Sequence, residues 1–351
     1  MRGNVTVYGA YGHTGRFVVA ELKRRGWTPV LSGRDPDKLN SLGVQLPDLD
    51  VRVAALEDSA ALDRALSGSV AVINCAGPFA ETVPAVVEAA LRSKIHYLDI
   101  AAEIEANLDT LANYGNSARD AGIVILPAMA FFGGLGDLLA TAAIGDWPNV
   151  DEISIAYGLA SWHPTAGTRA AGKVSRERRG GRRIAFANGR LEHRDGPAPV
   201  GEWTFPQPLG RQRVVTEFTM ADAVTIPHHI PVAEFRSYMT VAAVSDVIDP
   251  SVPPPIAADD SGRSSQTFIV DVVARLGSAV RRAVAGGRDI YAVSAPIVVE
   301  ALGRLLNDTA AAPGVYTAGE IFDARGFLEA LSPQPLSIEL FLEGQKFDLA
   351  S

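Results

Sequence analysis

One glycine-rich segment near the start of the chain limits its fold more than any other feature. Gly9, Gly12 and Gly15 follow a short apolar run, Val5–Tyr8, and precede a helical pattern that ends near Arg25. This spacing is typical of a dinucleotide-binding domain, in which the first glycine permits a tight turn, the second lets a pyrophosphate approach the backbone, and the third lets helix and strand pack closely. The free amides and the dipole of the helix start favour the same anion. The residues predicted to bind the phosphates are Gly9, Tyr11, Gly12, His13, Thr14 and Gly15.

The first third of the chain alternates β-type runs with helical patterns, which is typical of a parallel sheet with crossover helices. An apolar stripe from Val83 to Leu91 predicts one helix, with Pro84 in its first turn, and Glu105–Ala121 predicts the next. Six strands alternating with helices predict an α/β fold, a doubly wound Rossmann domain over residues 1–128. The predicted strands are Val5–Tyr8, Pro29–Ser32, Val51–Ala54, Val70–Asn74, His96–Ile100 and Ile123–Leu126.

The rest of the chain has a different pattern. Short runs between turns predict antiparallel strands in the middle, and helices follow at Ser294–Leu306 and Ala318–Leu331. A chain of 351 residues exceeds what one hydrophobic core usually serves, so two subdomains are expected. The strands predicted in the middle are Glu152–Gly158, Arg183–Ala187, Arg213–Thr219, Ser237–Val244 and Phe268–Val273.

Composition argues against several classes of function. With 40 acidic and 32 basic side chains the net charge is −8, which argues against nucleic-acid binding. One basic run, Arg176–Arg183, is expected to be a solvated hairpin or loop. Cys75 is the sole cysteine, so an intrachain disulfide is impossible, and the sequence has no apolar run of the ~20 residues that a membrane span needs. These features predict a soluble, cytoplasmic protein without a nucleic-acid or membrane partner.

The end of the second strand indicates which dinucleotide binds. NAD sites usually end this strand with Asp or Glu for the ribose 2′-hydroxyl, whereas residues 32–34 are Ser-Gly-Arg here. A hydroxyl and a guanidinium favour a 2′-phosphate, and Lys38 adds charge one helical turn later. Asp35 is interpreted as the cap of the next helix, with Pro36 at its first position. We therefore predict NADP(H), bound at this end by Ser32, Arg34 and Lys38.

The ends of the fourth and fifth strands indicate where the nicotinamide lies. Small residues and a Gly-Pro turn after Asn74 leave room for the nicotinamide ribose, and an ordinary loop is the alternative. The thiol of Cys75 is interpreted as inert, since no activating base accompanies it. Asp99 and Glu103 follow the fifth strand, where they either orient substrate and move a proton or cap the next helix. The residues predicted here as cofactor ligands are Cys75, Ala76, Gly77 and Pro78.

Together these motifs resemble the saccharopine dehydrogenase-like NADP-dependent oxidoreductases, a family that includes amino-acid dehydrogenases and trans-acting enoyl reductases. The resemblance rests on the segments GAYGHTGR, LSGRDPDKL, NCAGPF, HYLDIAAE and PAMAFFGGLGDL, in this order. It implies a second, substrate-binding α+β domain of mixed sheet over residues 129–289, and helices within residues 290–351 that pack back toward the first domain. Residues 130–132 are Ala-Phe-Phe where the family usually has Gly-Phe-Asp, so any role of that carboxylate does not carry over.

Several other side chains are candidate proton donors. His163 lies in a segment expected to face the cleft between the domains, and an imidazole suits general acid chemistry near neutral pH. Tyr291 and Lys173 are further candidates. His228 and His229 are adjacent and point to opposite faces if they lie on a strand, so no metal site is predicted.

The sequence predicts an NADP(H)-dependent oxidoreductase that moves a hydride to or from a small organic substrate with a C=N, C=O or activated C=C bond. The active site is expected in the interdomain cleft, with Asp99, Glu103 and His163 as candidate catalytic residues. One alternative is a trans-acting enoyl reductase on a lipid or polyketide substrate. Another is a regulator that binds NADP without turnover. A homodimer is a candidate assembly.

Overall fold

The computed structural model of the protein describes residues 2–307, 311–342 and 345–347. These residues form two compact units. The first comprises the described residues up to Ala130 together with those of Ser294–Tyr316, and the second comprises Phe131–Val293 together with those from Thr317 onward. Each unit has its own large β-sheet.

The first 126 residues alternate strands and helices, as predicted from the pattern of apolar runs. Two helices differ from their prediction. Helix α4 begins at Phe79, so Pro84 lies inside the helix rather than in its first turn, and the helix predicted over Glu105–Ala121 is interrupted at Tyr114. In chain order the elements are β1 (Asn4–Tyr8), α1 (His13–Arg24), β2 (Thr28–Gly33), α2 (Pro36–Gln45), β3 (Val51–Val53), α3 (Ser59–Leu66), β4 (Ser69–Asn74), α4 (Phe79–Ser93), β5 (His96–Asp99), α5 (Ile104–Asn113), α6 (Gly115–Ala121) and β6 (Val124–Leu126).

The remaining elements begin after an irregular helical turn, Phe131–Leu135. They are α7 (Gly136–Ile144), β7 (Val150–Leu159), α8 (Ala166–Arg178), β8 (Arg183–Ala187), β9 (Arg190–Arg194), β10 (Val200–Thr204), β11 (Arg211–Val215), α9 (Asp222–His229), β12 (Val232–Thr240), α10 (Val241–Ile248), β13 (Thr267–Leu276), β14 (Ala279–Arg288), α11 (Ser294–Asn307), β15 (Gly314–Val315), α12 (Ala318–Ile321), α13 (Ala324–Leu331), β16 (Ser337–Leu342) and β17 (Gln345–Phe347).

The first unit is built on a parallel sheet with the strand order β15-β6-β5-β4-β1-β2-β3. The six predicted strands are all present, and β15 adds a seventh beside β6. The order from β3 to β6 is that of a Rossmann domain, which reverses direction between β1 and β4. Ligands of such sheets bind beyond the carboxyl ends of the strands at this reversal, so the loops after β1, β2, β4 and β5 are the candidate site.

The second unit is built on an eight-stranded sheet with the order β10-β11-β12-β7-β13-β14-β16-β17. Its strands pair antiparallel, as predicted, except that β12 runs parallel to β7. The sheet is therefore mixed, and β8 and β9 form a separate hairpin. Aromatic side chains cluster in the core of this unit. The ring centroid of Phe132 is 4.8 Å from that of Tyr157 and 5.6 Å from that of Trp162.

Several predictions for this part of the chain were wrong. Arg176–Arg178 end helix α8, which begins after Thr165, whose hydroxyl accepts a hydrogen bond from the Thr168 amide at 3.1 Å. The basic run, predicted to be a solvated hairpin or loop, is an exposed helix end followed by a turn, so its exposure was predicted correctly and its helical residues were not. Helix α8 buries few side chains, so its sequence lacks the apolar stripe from which a helix can be predicted. The strand predicted over Ser237–Val244 stops at Thr240, where α10 begins.

The C-terminal region also differs from its prediction. The described residues of Ser294–Tyr316 belong to the first unit. From Thr317 onward the described residues belong to the second unit, and β16 extends its sheet by pairing with β14. Strands β16 and β17 were not predicted. Across the described ranges, no helix combines the length and apolar character needed to cross a bilayer.

Candidate functional site

The loop between β1 and α1 has the geometry of a phosphate-binding turn. Gly9 has φ = +86°, a conformation that favours glycine, and a Cβ there would lie 2.8 Å from the Ala76 backbone nitrogen. The amides of Gly9 and Ala10 donate to the Ser32 carbonyl oxygen at 2.8 and 3.1 Å. The loop is therefore fixed against both β2 and the segment that follows β4.

Gly12 and Gly15 meet different surroundings. A Cβ on Gly15 would lie 2.2 Å from the Gly9 carbonyl oxygen, so a side chain there would force the helix away from the turn. Within the described residues, a Cβ on Gly12 would approach one atom, the same oxygen, at 3.1 Å. Gly15 thus serves close packing, whereas Gly12 leaves open space beside the backbone.

The start of α1 is suited to an anion. Gly12 occupies the position before the first helical residue and has no side chain to bond the first-turn amides, and this turn has no acidic residue. Such a helix start presents N–H groups and a partial positive charge. Tyr11, His13 and Thr14 lie half-buried around it, and the His13 ring packs edge-on against Phe17 with centroids 5.3 Å apart. The open backbone at Gly12 and this helix start fit a dinucleotide pyrophosphate.

At the end of β2, Ser32 is fully buried, and its hydroxyl donates to the Arg52 carbonyl oxygen at 2.8 Å, which links β2 to β3. Its role as a cofactor ligand stays a prediction. Arg34 is exposed. Asp35 caps α2, as interpreted: its carboxylate accepts the Lys38 amide at 3.1 Å, and Pro36 occupies the first helical position.

The segment after β4 is held by a buried amide that sequence reasoning missed. The Asn74 side chain donates to the hydroxyls of Thr82 and Tyr97 at 3.1 and 3.2 Å, and its oxygen accepts the Ala76 amide at 3.0 Å. This fixes Ala76 beside Gly9. Burial, with the nearby charge of Asp99, raises the pKa of Cys75 far above its usual value, which agrees with an inert thiol.

Asp99 anchors the end of β5. It is fully buried, and one carboxylate oxygen accepts the amides of Ala101 and Ala128 at 2.9 and 2.8 Å. The other accepts the Tyr97 hydroxyl at 2.9 Å. Burial raises the pKa of Asp99 to about 6, because these three hydrogen bonds offset only part of the desolvation.

Glu103 caps a helix, but the helix is α4 and not α5, the following helix that the sequence suggested. Its two carboxylate oxygens accept the amides of Phe79 and Ala80 at 2.9 and 3.0 Å, at the start of α4. It precedes α5 and makes no side-chain capping bond there. Burial raises the pKa of Glu103. Each oxygen of Asp99 and Glu103 is thus bonded within the protein, which is typical of anchoring carboxylates, and their catalytic role stays a prediction.

The other proton-donor candidates lie in the second unit. The Nδ1 atom of His163 is 3.2 Å from the Pro253 carbonyl oxygen. The Tyr291 hydroxyl accepts the indole N–H of Trp162 at 3.0 Å and lies 2.9 Å from the Thr168 hydroxyl, and burial raises its pKa. Lys173 lies on the surface of α8, where its side chain is 77% exposed and its ammonium is 3.9 Å from a carboxylate oxygen of Glu177.

A buried acid–histidine cluster of Asp137, Asp222 and His229 was missed by sequence reasoning. His229 lies at the end of α9, not on a strand, with Nε2 2.6 Å from a carboxylate oxygen of fully buried Asp137. The other oxygen of Asp137 accepts the Gly319 amide at 2.9 Å. Asp222 begins α9 and accepts the Gly133 amide at 3.0 Å.

Burial and neighbouring charges shift the pKa values of Asp222 and His229. Burial raises the pKa of Asp222 to about 6. Burial alone would lower the pKa of His229, but its hydrogen bond and ion pair with Asp137 outweigh this and raise it. His228 is directed elsewhere, 3.8 Å from Glu320. In the part of the chain that the structure describes, no three His, Cys, Asp or Glu side chains are grouped to hold a metal ion.

Comparison with known proteins connects this geometry to a family. Residues 5–126 match the saccharopine dehydrogenase NADP-binding domain. A probable mitochondrial saccharopine dehydrogenase-like oxidoreductase of Arabidopsis thaliana is 31% identical over 36% of this chain and 32% of its own length. A lipid droplet localized protein of Caenorhabditis elegans is 29% identical over 36% of this chain and 33% of its own. The matches thus span about a third of these curated relatives.

The architecture of the chain also has a solved counterpart. Apo saccharopine dehydrogenase (L-Glu forming) from Saccharomyces cerevisiae superposes with a TM-score of 0.68, covering 97% of this chain and 100% of the yeast chain. The sequence identity is 12%, so the likeness concerns the fold: a parallel sheet in Rossmann order followed by a mixed sheet.

Proposed function

Because residues 5–126 belong to the saccharopine dehydrogenase NADP-binding domain family, we propose that the protein is an NADP(H)-dependent oxidoreductase. It transfers a hydride to or from a small organic substrate with a C=N, C=O or activated C=C bond. The observation that carries this proposal is the open backbone at Gly12, directly before the start of α1 and beside a turn that Gly9 and Gly15 hold closed.

Each part of this loop has a role in the proposal. The amides at the start of α1 bind the pyrophosphate, and Ala76 to Pro78 adjoin the nicotinamide ribose. When bound, the nicotinamide supplies or accepts the hydride. The protein binds and orients it, and the anchored segments after β4 and β5 keep the shape of the site through Asn74, Asp99 and Glu103.

The end of β2 supports NADP(H) over NAD(H). The carboxylate nearest to this end, Asp35, is committed to capping α2 and to an ion pair with Lys38 at 2.9 Å. Arg34 is exposed at the same place, and Lys38 would meet a 2′-phosphate by leaving its ion pair with Asp35, since a phosphate binds cations through charge-assisted hydrogen bonds. We also keep the cytoplasm as the expected location and a homodimer as a candidate assembly.

Titration of the purified protein with NADPH and NADH tests the proposal. NADPH should bind more tightly by about 1 to 3 kcal/mol, or roughly fivefold to 150-fold, and Arg34→Ala should reduce this preference. Equal affinities would refute the cofactor assignment. Oxidation of NADPH is then followed with imines, ketones and enoyl compounds. Binding without turnover on any of these classes would favour a regulator.

A further inference from the structure

The second unit carries a strongly basic segment in an otherwise acidic protein. Residues 169–195, from α8 through β9, contain nine Arg or Lys and three Asp or Glu side chains, a net charge of +6 in a chain whose net charge is −8. On α8, Arg169, Lys173 and Arg176 follow the i, i+4, i+7 pattern and therefore share one face of the helix. A surface with this concentration of positive charge attracts anionic partners.

Two of these cations are available to a partner. Arg176 and Arg182 are exposed, and within the described residues neither guanidinium makes a hydrogen bond or an ion pair. The acid that lies among them, Glu177, is 3.9 Å from the Lys173 ammonium and so already faces a cation of its own helix.

Exposed apolar side chains lie beside the start of α8. The Arg169 guanidinium donates to the carbonyl oxygens of Asp249 and Val252, each at 2.9 Å, which holds the segment after α10 against the helix. Ile248 at the end of α10 and Ile256 in this segment are 64% and 73% exposed. The Asp249 carboxylate accepts two hydrogen bonds from within its own turn, so its charge is partly satisfied there.

Another exposed apolar side chain lies beyond the other end of α8. Arg183, the first residue of β8, donates from Nε to the Gly196 carbonyl oxygen at 2.8 Å, and Val200, four residues later, is 50% exposed. The α8 surface is defined here as the basic residues of 169–183 with the three exposed apolar side chains near its two ends. Because α8 has 13 residues, its basic part extends over about 20 Å.

We propose that the α8 surface binds a lipid bilayer that contains anionic lipids. Arg and Lys side chains attract the negative headgroups, and the exposed apolar side chains enter the boundary between headgroups and acyl chains. Three separate apolar side chains form no continuous face for a protein partner to bury, which favours the bilayer over an acidic protein. The sequence-based expectation of no membrane partner rested on the absence of a spanning segment, and binding at the surface of a bilayer needs none.

The test is sedimentation of the full chain with vesicles of phosphatidylcholine alone and with vesicles in which about one third of the lipid is phosphatidylserine. The protein should sediment with the anionic vesicles, and added salt should release it, because salt screens the attraction. Arg176→Gln/Arg182→Gln should weaken this binding at least about tenfold, and Ile248→Ser/Ile256→Ser by a similar factor.

Matched controls come from exposed positions of the first unit. Lys23→Gln/Arg64→Gln removes the same charge, and Val44→Ser removes an apolar side chain that is 83% exposed. Both should bind the anionic vesicles as wild type does. NADPH affinity should be unchanged in the arginine and isoleucine double variants, so the result does not depend on the nucleotide site.

Three results would overturn the proposal. The first is a wild-type protein that sediments with neither kind of vesicle. The second is binding that both double variants keep in full, because the contact would then lie elsewhere. The third is a loss in the arginine variant alone, since the apolar side chains would take no part. Binding of poly-L-glutamate by wild type but not by the arginine variant would then assign the surface to an acidic macromolecule instead.

Discussion

Both units contain buried carboxylates that hold loops by accepting hydrogen bonds from backbone amides. The two units differ in how far along the chain each carboxylate lies from its amide partner. In the first, Asp99 accepts amides 2 and 29 residues away. In the second, Asp222 accepts an amide 89 residues away, and Asp137 accepts one 182 residues away. The anchor of the first unit accepts amides nearby in the chain, whereas the acids of the second unit find their partners on distant elements. The segment PAMAFFGGLGDL contains Asp137, but a sequence motif does not reveal that its partners are Gly319 and His229.

The largest expected effect comes from the glycine-rich loop of the first unit, in which Gly15 and Gly12 should have different roles. Gly15→Val should prevent the first unit from folding, because its Cβ would overlap the Gly9 carbonyl oxygen. Gly12→Val should fold and lose NADPH binding below detection, since the added methyls would occupy the open space beside the backbone. Circular dichroism and nucleotide titration measure the two properties separately. A Gly12→Val protein with normal NADPH affinity would place the pyrophosphate elsewhere.

The next effect tests whether the acid–histidine cluster stabilises the second unit. His229→Leu leaves the fully buried Asp137 carboxylate without its cation, which should lower the free energy of unfolding by about 3–5 kcal/mol. Adding Asp137→Asn should recover part of the loss, because the uncompensated charge is gone. His193→Leu, at an exposed position on β9, is the control and should change stability by less than about 0.5 kcal/mol. A loss below about 1 kcal/mol for His229→Leu would count against the cluster as a support.

A pH series compares one buried acid from each unit. The pKa of Asp99 and of Asp222 is about 6 in the folded protein and 3.8 in an unfolded chain, so the folded state binds these protons more tightly. Each acid should therefore reduce stability by about 3 kcal/mol as the pH rises from about 4 to about 6. Asp99→Asn should flatten this fall in the first unit and Asp222→Asn in the second, as followed by hydrogen exchange of each unit. Exposed Asp120→Asn should leave the slope unchanged.

The smallest expected effect separates capping from catalysis at Glu103. Glu103→Gln keeps one acceptor for the start of α4 and loses the other, which should cost about 0.5–2 kcal/mol of stability. Turnover per folded molecule should stay the same, as measured by kcat and kcat/KM once a substrate is found. A fall in kcat/KM of about tenfold with an unchanged melting temperature would instead assign the carboxylate to the reaction.

Sequence reasoning succeeded where a short segment carries its own constraint. Asp35 with Pro36 marks the start of α2, and the glycine spacing marks the tight turn between β1 and α1, since both depend on backbone geometry within a few residues. It failed for helix α8, which exposes most of its surface and so lacks an apolar stripe. It also did not predict the hydrogen bond of buried Ser32, whose hydroxyl donates to the Arg52 carbonyl oxygen of β3.

By itself the sequence determined the alternating strands and helices of the first sheet, the tight glycine-rich turn after β1 and a resemblance to one family over the first third of the chain, because strand periodicity and glycine spacing are local properties. The tertiary structure alone decided which helix Glu103 caps and that Asp137 pairs with His229. These arrangements depend on how distant elements pack. Burial and hydrogen-bond partners arise from that packing, and the residues next to a side chain in the sequence do not fix them.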